Sequence, residues 1–178
     1  MNTTFRKATA DDAPVAWEIR NAAIRHACKG FYPDDLLERW TAGEMTESFV
    51  EFVAQQFYVA TVNGNVAGTG FINLRNGRID ALFVRPDMMG KGIGKRILAC
   101  CEELGRSAGL TVLSLDSTLN AAPFYRRFGF VGDAVGVYQS PRGFLLDCIP
   151  MTKRLAPTEP IGEQCGADNG TSEPFFIR

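Results

Sequence analysis

The chain has 178 residues, 46% of them hydrophobic and 22% charged, with a formal net charge of −1. That length suits one domain with a substantial core, and the near-neutral balance excludes binding to nucleic acid or to an anionic membrane through overall charge. No apolar run nears the roughly 20 residues that span a bilayer, and the opening MNTTFRKATADD lacks the apolar stretch of a secretory signal.

Phe5 to Ala8 predicts a short first strand. Asp11 or Asp12 then caps a helix reaching Cys28, with Val15, Ile19, Ala22, Ala23 and His26 on one stripe. Pro33-Asp34 opens a second helix over Leu36, Leu37 and Trp40, and Thr46 a third through Phe49, Phe52 and Val53. Phe57 to Val62, Asn63-Gly64, and Val66 to Leu74 predict a hairpin, because Asn-Gly favours the turn whose twist matches that of the strands. Asn76-Gly77 turns the chain into a strand over Arg78 to Val84.

A glycine-rich loop follows, and a helix runs from Ile93 to about Ala108 with Ile97, Leu98, Cys101 and Leu104 inward. Thr111 to Leu115 predicts a buried strand and Ala121 to Phe128 a short helix that Gly129 closes. Val131 to Gln139 and Phe144 to Met151 predict a closing strand pair joined by Pro141-Arg142-Gly143. The order predicts a mixed α/β fold with one sheet. From Ala156 the chain is rich in Pro, Gly and polar residues, which predicts a linker-like tail. Phe175, Phe176 and Ile177 near its end predict docking on the domain or on a neighbouring subunit, the latter giving a homodimer.

Five scattered cysteines without a CxxC pair fit reduced thiols in the cytoplasm. His26 is the only histidine and no ligand spacing surrounds it, so no metal site is expected.

The informative stretch is LFVRPDMMGKGIGKRIL, residues 82–98. A strand runs through Pro86-Asp87 into glycines 90, 92 and 94, and the helix starts inside the loop. Glycines admit a close backbone approach, and the unpaired first-turn amides with the helix dipole suit a phosphate or pyrophosphate. Lys91, Lys95 and Arg96 add local positive charge. The Walker pattern is absent, and the dinucleotide fingerprint fails because Lys95 holds the place of the third glycine. Asp116, about 20 residues on, keeps a nicotinamide reading open.

VRPDMMGKGIGKRIL resembles motif A of the GNAT acetyltransferases, with core Gln/Arg-x-x-Gly-x-Gly/Ala. Gly92 and Gly94 fall on that core, and Met89 departs from it at the Gln/Arg position. LDSTLNAAPFYRRFGF, residues 115–130, resembles motif B, with Asn120, Phe124, Tyr125, Gly129 and Phe130 on the pattern. The resemblance covers about residues 3–155, which implies a GNAT domain over 1–155 and a tail over 156–178. It implies a central, mostly antiparallel sheet flanked by helices and splayed between two cofactor strands.

It also implies acetyl-CoA as co-substrate and an amine of a small molecule or peptide as acceptor, attacked directly in a ternary complex. Backbone groups of Leu82, Phe83 and Val84 would pair with the pantetheine arm, and Asn120 would hydrogen-bond it. The pyrophosphate would lie on the amides of Gly90, Lys91, Gly92, Ile93, Gly94 and Lys95. Tyr125 would protonate the leaving thiolate, and Asp80, placed by alternation on the face of Leu82 and Val84, would take the amine proton through water. Asp116 and Ser117 could line the same mouth.

His26 reads as a packed histidine, and no partnered base stands beside Cys28 for a nucleophilic role. Phe31, Tyr32, Trp40 and Phe49 come from the segment that covers the family's acceptor site. A non-catalytic acetyl-CoA-binding module is the alternative: Tyr125 and Asn120 favour the enzyme, and Met89 favours the binder.

Overall fold

A computed structural model describes residues 3–156. The strands are β1 (Thr3–Lys7), β2 (Tyr58–Val62), β3 (Asn65–Asn73), β4 (Arg78–Val84), β5 (Val112–Ser117), β6 (Gly136–Gln139) and β7 (Leu145–Arg154). The helices are α1 (Ala13–Ala27), α2 (Asp34–Thr41), α3 (Glu47–Gln56), α4 (Ile93–Ser107) and α5 (Ala122–Arg127). The strands form one sheet in the order β1-β2-β3-β4-β5-β7-β6. Every neighbouring pair is antiparallel except β4 and β5.

Local signals account for most element ends. The Thr46 hydroxyl accepts the Phe49 amide at 3.3 Å and starts α3, a cap worth about 1 kcal/mol. Asn63 and Gly64 both take positive φ, 49° and 85°, the twist that a two-residue hairpin requires. Asp12 does not cap α1 through its side chain. It belongs instead to a capping box on the preceding turn, where its Oδ2 accepts the Thr9 amide at 2.8 Å. Arg6 forks onto both of its oxygens at 2.7 and 2.8 Å. That guanidinium, with the Thr9 donors, outweighs burial and holds the Asp12 carboxyl at about 2.

The two faces of the sheet are covered by different helices. On one face α4 packs Ile97, Leu98 and Cys101 against Leu113, Leu115 and Met151, with Phe130 beside them. It comes close because Gly70 of β3 has no side chain: a Cβ there would stand 2.5 Å from Ile97 Cγ2. On the other face Ala13 and Ala16 of α1 and Val53 of α3 meet Phe57, Val59, Phe71 and Ala81. A third cluster joins the end of α1 to α2 and β7 through Ile24, Cys28, Tyr32, Leu37, Phe144 and Leu146.

Three expectations change. The buried stripe of α1 is Ala13, Ala16, Ile19, Ala23 and Ile24, while Ala22 and His26 are exposed, because the small residues turn inward where the helix lies on the sheet. β5 is buried on one face only, through Leu113, Leu115 and Ser117, and Val112 is exposed. The strand expected from Val131 reduces to one bridge to Thr152 before β6, because Gly132 takes φ 152° and is pressed against the Pro150 carbonyl of β7, which interrupts the ladder. The docking expected of Phe175, Phe176 and Ile177 lies outside the described residues.

Candidate active site

β4 and β5 are parallel neighbours, yet they register at one pair only, Arg78↔Ser114. Beyond that pair the strands part, so β4 keeps its ladder to β3 through Gly70↔Leu82, Thr69↔Phe83 and Gly68↔Val84, while its other edge is left without a strand. Unpaired backbone of this kind is a template for an extended ligand. The opening leads into a cavity of about 1210 Å³, whose walls include Leu82, Phe83 and Val84 on one side and Leu115, Asp116 and Ser117 on the other.

The glycine loop closes one end of that cavity. Gly90 and Gly92 have φ of 75° and 83°, conformations that favour glycine, and a Cβ at either would meet nothing within 4 Å. Open space above a left-handed backbone fits a phosphate group better than a packed turn would. Gly92 is the N-cap of α4 without any side-chain cap, so the amides of Ile93, Gly94 and Lys95 are free of intrahelical partners. Met89, Gly90, Gly92, Gly94 and Lys95 line the cavity. The Ile93 side chain is turned into the core at 2% exposure and offers only its amide. Lys91 lies outside the walls, with Nζ 3.7 Å from Met88 Sδ.

From the opposite side α5 brings Tyr125 to the cavity, buried at 8% exposure and packed on Phe124 and Phe130. Burial disfavours the phenolate and pushes this hydroxyl well above its usual range. It therefore keeps its proton at neutral pH. Asn120, half-buried in the same wall, accepts a hydrogen bond from Cys28 Sγ at 3.4 Å. Burial raises the Cys28 thiol to about 11, which leaves it protonated and a poor nucleophile.

Asp80 is where strand alternation fails. The β3–β4 register passes from Ile72↔Ile79 to Phe71↔Ala81 and skips Asp80, which forms a bulge. Ile79, Leu82 and Val84 pack with α4. Asp80 instead meets Arg78, whose Nε donates to Oδ1 at 2.6 Å while Nη2 donates to Asp116 Oδ2 at 2.5 Å. Asp116 alternates with the inward Leu115, so all three charges lie on the face away from α4 rather than on the face of Leu82 and Val84. The hydrogen bond that Arg78 donates to Asp116, followed by the one it donates to Asp80, pushes Arg78 further up, so this cation is permanent.

Towards α1 and α2 the cavity is walled by Trp40, Phe49, Phe57 and Phe71 together with Tyr32. The Tyr32 hydroxyl donates to the Asp147 carbonyl at 2.6 Å and accepts the Leu119 amide at 3.0 Å, tying this wall to β7 and to the loop before α5. Phe31 is 55% exposed and, like His26, lies outside the walls. Arg20 and Arg78 line the cavity without having been singled out from the sequence. Arg20 shares a face of α1 with Ala16, Ala23 and Ile24, but a helical arginine reads as solvated until the cavity beneath that face is known. Arg78 was not legible either, since its partners come from a bulge and a second strand.

The model of the acetyltransferase (GNAT) domain matches residues 28–155. A peptidyl-lysine N-acetyltransferase of Salmonella typhimurium is 30% identical over 54% of this chain, a match spanning 65% of that relative's own length. An aminoglycoside N(6')-acetyltransferase of Stenotrophomonas maltophilia is 29% identical over 71% of this chain and 85% of its own. The crystal structure of a GCN5-related N-acetyltransferase from Rhodopseudomonas palustris superposes with a TM-score of 0.80 at 26% identity, covering 87% of this chain and 97% of the other. With the parted strands and the open glycine loop already in place, these likenesses show that the chain belongs to the GNAT family of acetyl-CoA-dependent N-acetyltransferases.

Proposed function

We propose that this protein transfers an acetyl group from acetyl-CoA to a primary amine by direct attack within a ternary complex. The observation that carries the reading is the joint presence, around one cavity, of an unpaired β4 edge, an open anion-binding loop and a protonated tyrosine. The Gly90–Lys95 amides hold the pyrophosphate, the backbone of Leu82, Phe83 and Val84 pairs with the pantetheine amides, and Asn120 hydrogen-bonds that chain.

The chemistry follows from the same groups. A β4 amide at the parted edge polarises the thioester carbonyl as negative charge grows on its oxygen. The amine nitrogen forms the new C–N bond, the C–S bond breaks, and Tyr125 gives its proton to the departing thiolate. Asp80 takes the amine proton through water. Among the described residues only Arg78 contacts that carboxylate, through Oδ1, which leaves Oδ2 to accept. The relatives' acceptors, a lysine side chain and an aminoglycoside, are primary amines and support that acceptor class here. The free thiols of Cys28, Cys101 and Cys148 support a cytoplasmic setting, and the apolar residues of the tail support a homodimer.

The test is CoA release over a panel of amines, aminoglycosides and peptide N-termini, with wild type and Tyr125→Phe. The phenylalanine variant is expected to bind acetyl-CoA normally and to turn over about 10²-fold more slowly or worse, the usual worth of a general acid. Unchanged turnover would remove Tyr125 from that role. No CoA release by the wild type with any amine would leave only an acetyl-CoA-binding module.

A further inference from the structure

The acceptor half of the cavity contains a cation that pairs with no carboxylate among the described residues. Arg20 sits on the α1 stripe between Ala16 and Ala23/Ile24, all lining the cavity. Its guanidinium donates to Asn21 Oδ1 at 2.6 Å and to the Trp40 carbonyl at 3.3 Å, and lies 5.4 Å from the centre of the Trp17 ring. Those partners are neutral, and they use two of five donors. No carboxylate among the described residues pairs with it. Arg142 makes matters worse, because it donates to the same Trp40 carbonyl at 3.0 Å.

Burial, followed by the repulsion of Arg142, lowers Arg20 to about 10. An arginine still charged at neutral pH, partly desolvated and without a counter-ion, carries an uncompensated cost. In the same cavity the carboxylates of Asp80 and Asp116 are taken by Arg78. Asp147 lines it without an ion-pair partner among the described residues.

We propose that Arg20 is the carboxylate-binding residue of the acceptor site, so that the acceptor is an apolar amino-acid-like compound bearing both an amine and a carboxylate. The inference rests on the acetyltransferase reading. A guanidinium fork matches a carboxylate bidentately, and a carboxylate would supply the negative charge that Arg20 lacks. The aromatic walls from Phe49, Phe57 and Phe71 take the apolar body. Asp147 faces the ammonium form as it enters, before deprotonation. An aminoglycoside, a polycation, would meet Arg20 with like charge.

The test compares L-phenylalanine with 2-phenylethylamine, and L-leucine with leucinamide, as acceptors for wild type, Arg20→Gln and Arg20→Lys. Each acceptor serves as its own reference, so differences in amine basicity cancel. Arg20→Gln is expected to lower kcat/KM for the two carboxylates at least tenfold, mostly through KM, and for the neutral pair less than threefold. Arg20→Lys, which keeps the charge without the fork, falls between and stands in if the glutamine variant does not fold.

Equal losses for both members of each pair would overturn the proposal by giving Arg20 a merely structural role. So would a wild type that acetylates phenylethylamine or leucinamide but neither amino acid, an outcome that leaves the acetyltransferase reading intact. Failure of the wild type to bind acetyl-CoA in a parallel titration would remove that reading, and this proposal with it.

Discussion

Individual side chains in this protein are placed by charge as much as by packing, and Asp12 shows the size of the effect. Its carboxyl is buried at 6% exposure and held at about 2 by the Arg6 fork and the Thr9 donors, against an ordinary 3.8. A carboxyl depressed on folding contributes stability above its unfolded pKa and loses that contribution as pH falls through the folded value. Asp12→Asn is therefore expected to cost about 2 kcal/mol at pH 7. The gap should shrink to roughly half by pH 3, measured by urea unfolding of both proteins at each pH. A gap that does not change with pH would mean the side chain acts by shape rather than charge.

The residues of the candidate site divide in the same way. Gly92, Gly94, Asn120 and Tyr125 could be read from the sequence because loop and short-helix motifs fix their spacing. The environment of Asp80 could not, since strand alternation assigns it one face and a bulge hands it to Arg78 and Asp116 on the other. Arg20 was hidden for another reason: an arginine on a helix reads as a solvated residue until the cavity beneath it is known.

At the scale of elements, the contact between α4 and β3 sets the position of the glycine loop. The helix can start under that loop only if its axis lies close to the sheet, and Gly68 and Gly70 permit this. A Cβ at Gly70 would stand 2.5 Å from Ile97 Cγ2, and one at Gly68 would stand 2.8 Å from both Ile97 Cδ1 and the Phe83 carbonyl. Gly70→Ala is expected to destabilise the protein by about 1–3 kcal/mol, the usual cost of overpacking a filled core. It should also weaken acetyl-CoA binding by lifting the start of the helix. Thermal unfolding and a binding titration would check both effects, and an unperturbed helix would show in neither.

The elements themselves were largely legible, because Asn63-Gly64, Thr46 and the apolar period of α4 are local signals. β6 was not. The segment from Val131 has strand-like composition, but its pairing with β7 stops at Gly132, which is pressed against the Pro150 carbonyl, and resumes at Gly136, and no local pattern announces that break.

Over the whole molecule one topological fact shapes the cavity, the parting of β4 from β5 beyond Arg78↔Ser114. It turns a mostly antiparallel sheet into a cleft with an open glycine loop at one end and an aromatic chamber at the other. A net charge of −1 gives the protein no general attraction for anions, and the proposed acetyl-CoA site therefore relies on local groups, the amides of the glycine loop first among them. Sequence motifs announced the loop and the short helix, whereas the chamber took its shape from the packing of α1, α2, α3 and β7, which carries no motif.

The most direct measurement is thermal unfolding of wild type and Gly92→Val with acetyl-CoA, NAD and ATP. A ligand that binds only the native state, at a hundredfold excess over Kd, stabilises it by about 2.7 kcal/mol. In a chain of this length that corresponds to a rise in Tm of roughly 5–10 °C. The account predicts such a rise with acetyl-CoA for the wild type, little change with NAD or ATP, and no rise for Gly92→Val, whose side chain would occupy the phosphate space. An unmoved Tm with saturating acetyl-CoA, or an equal rise with NAD, would contradict it.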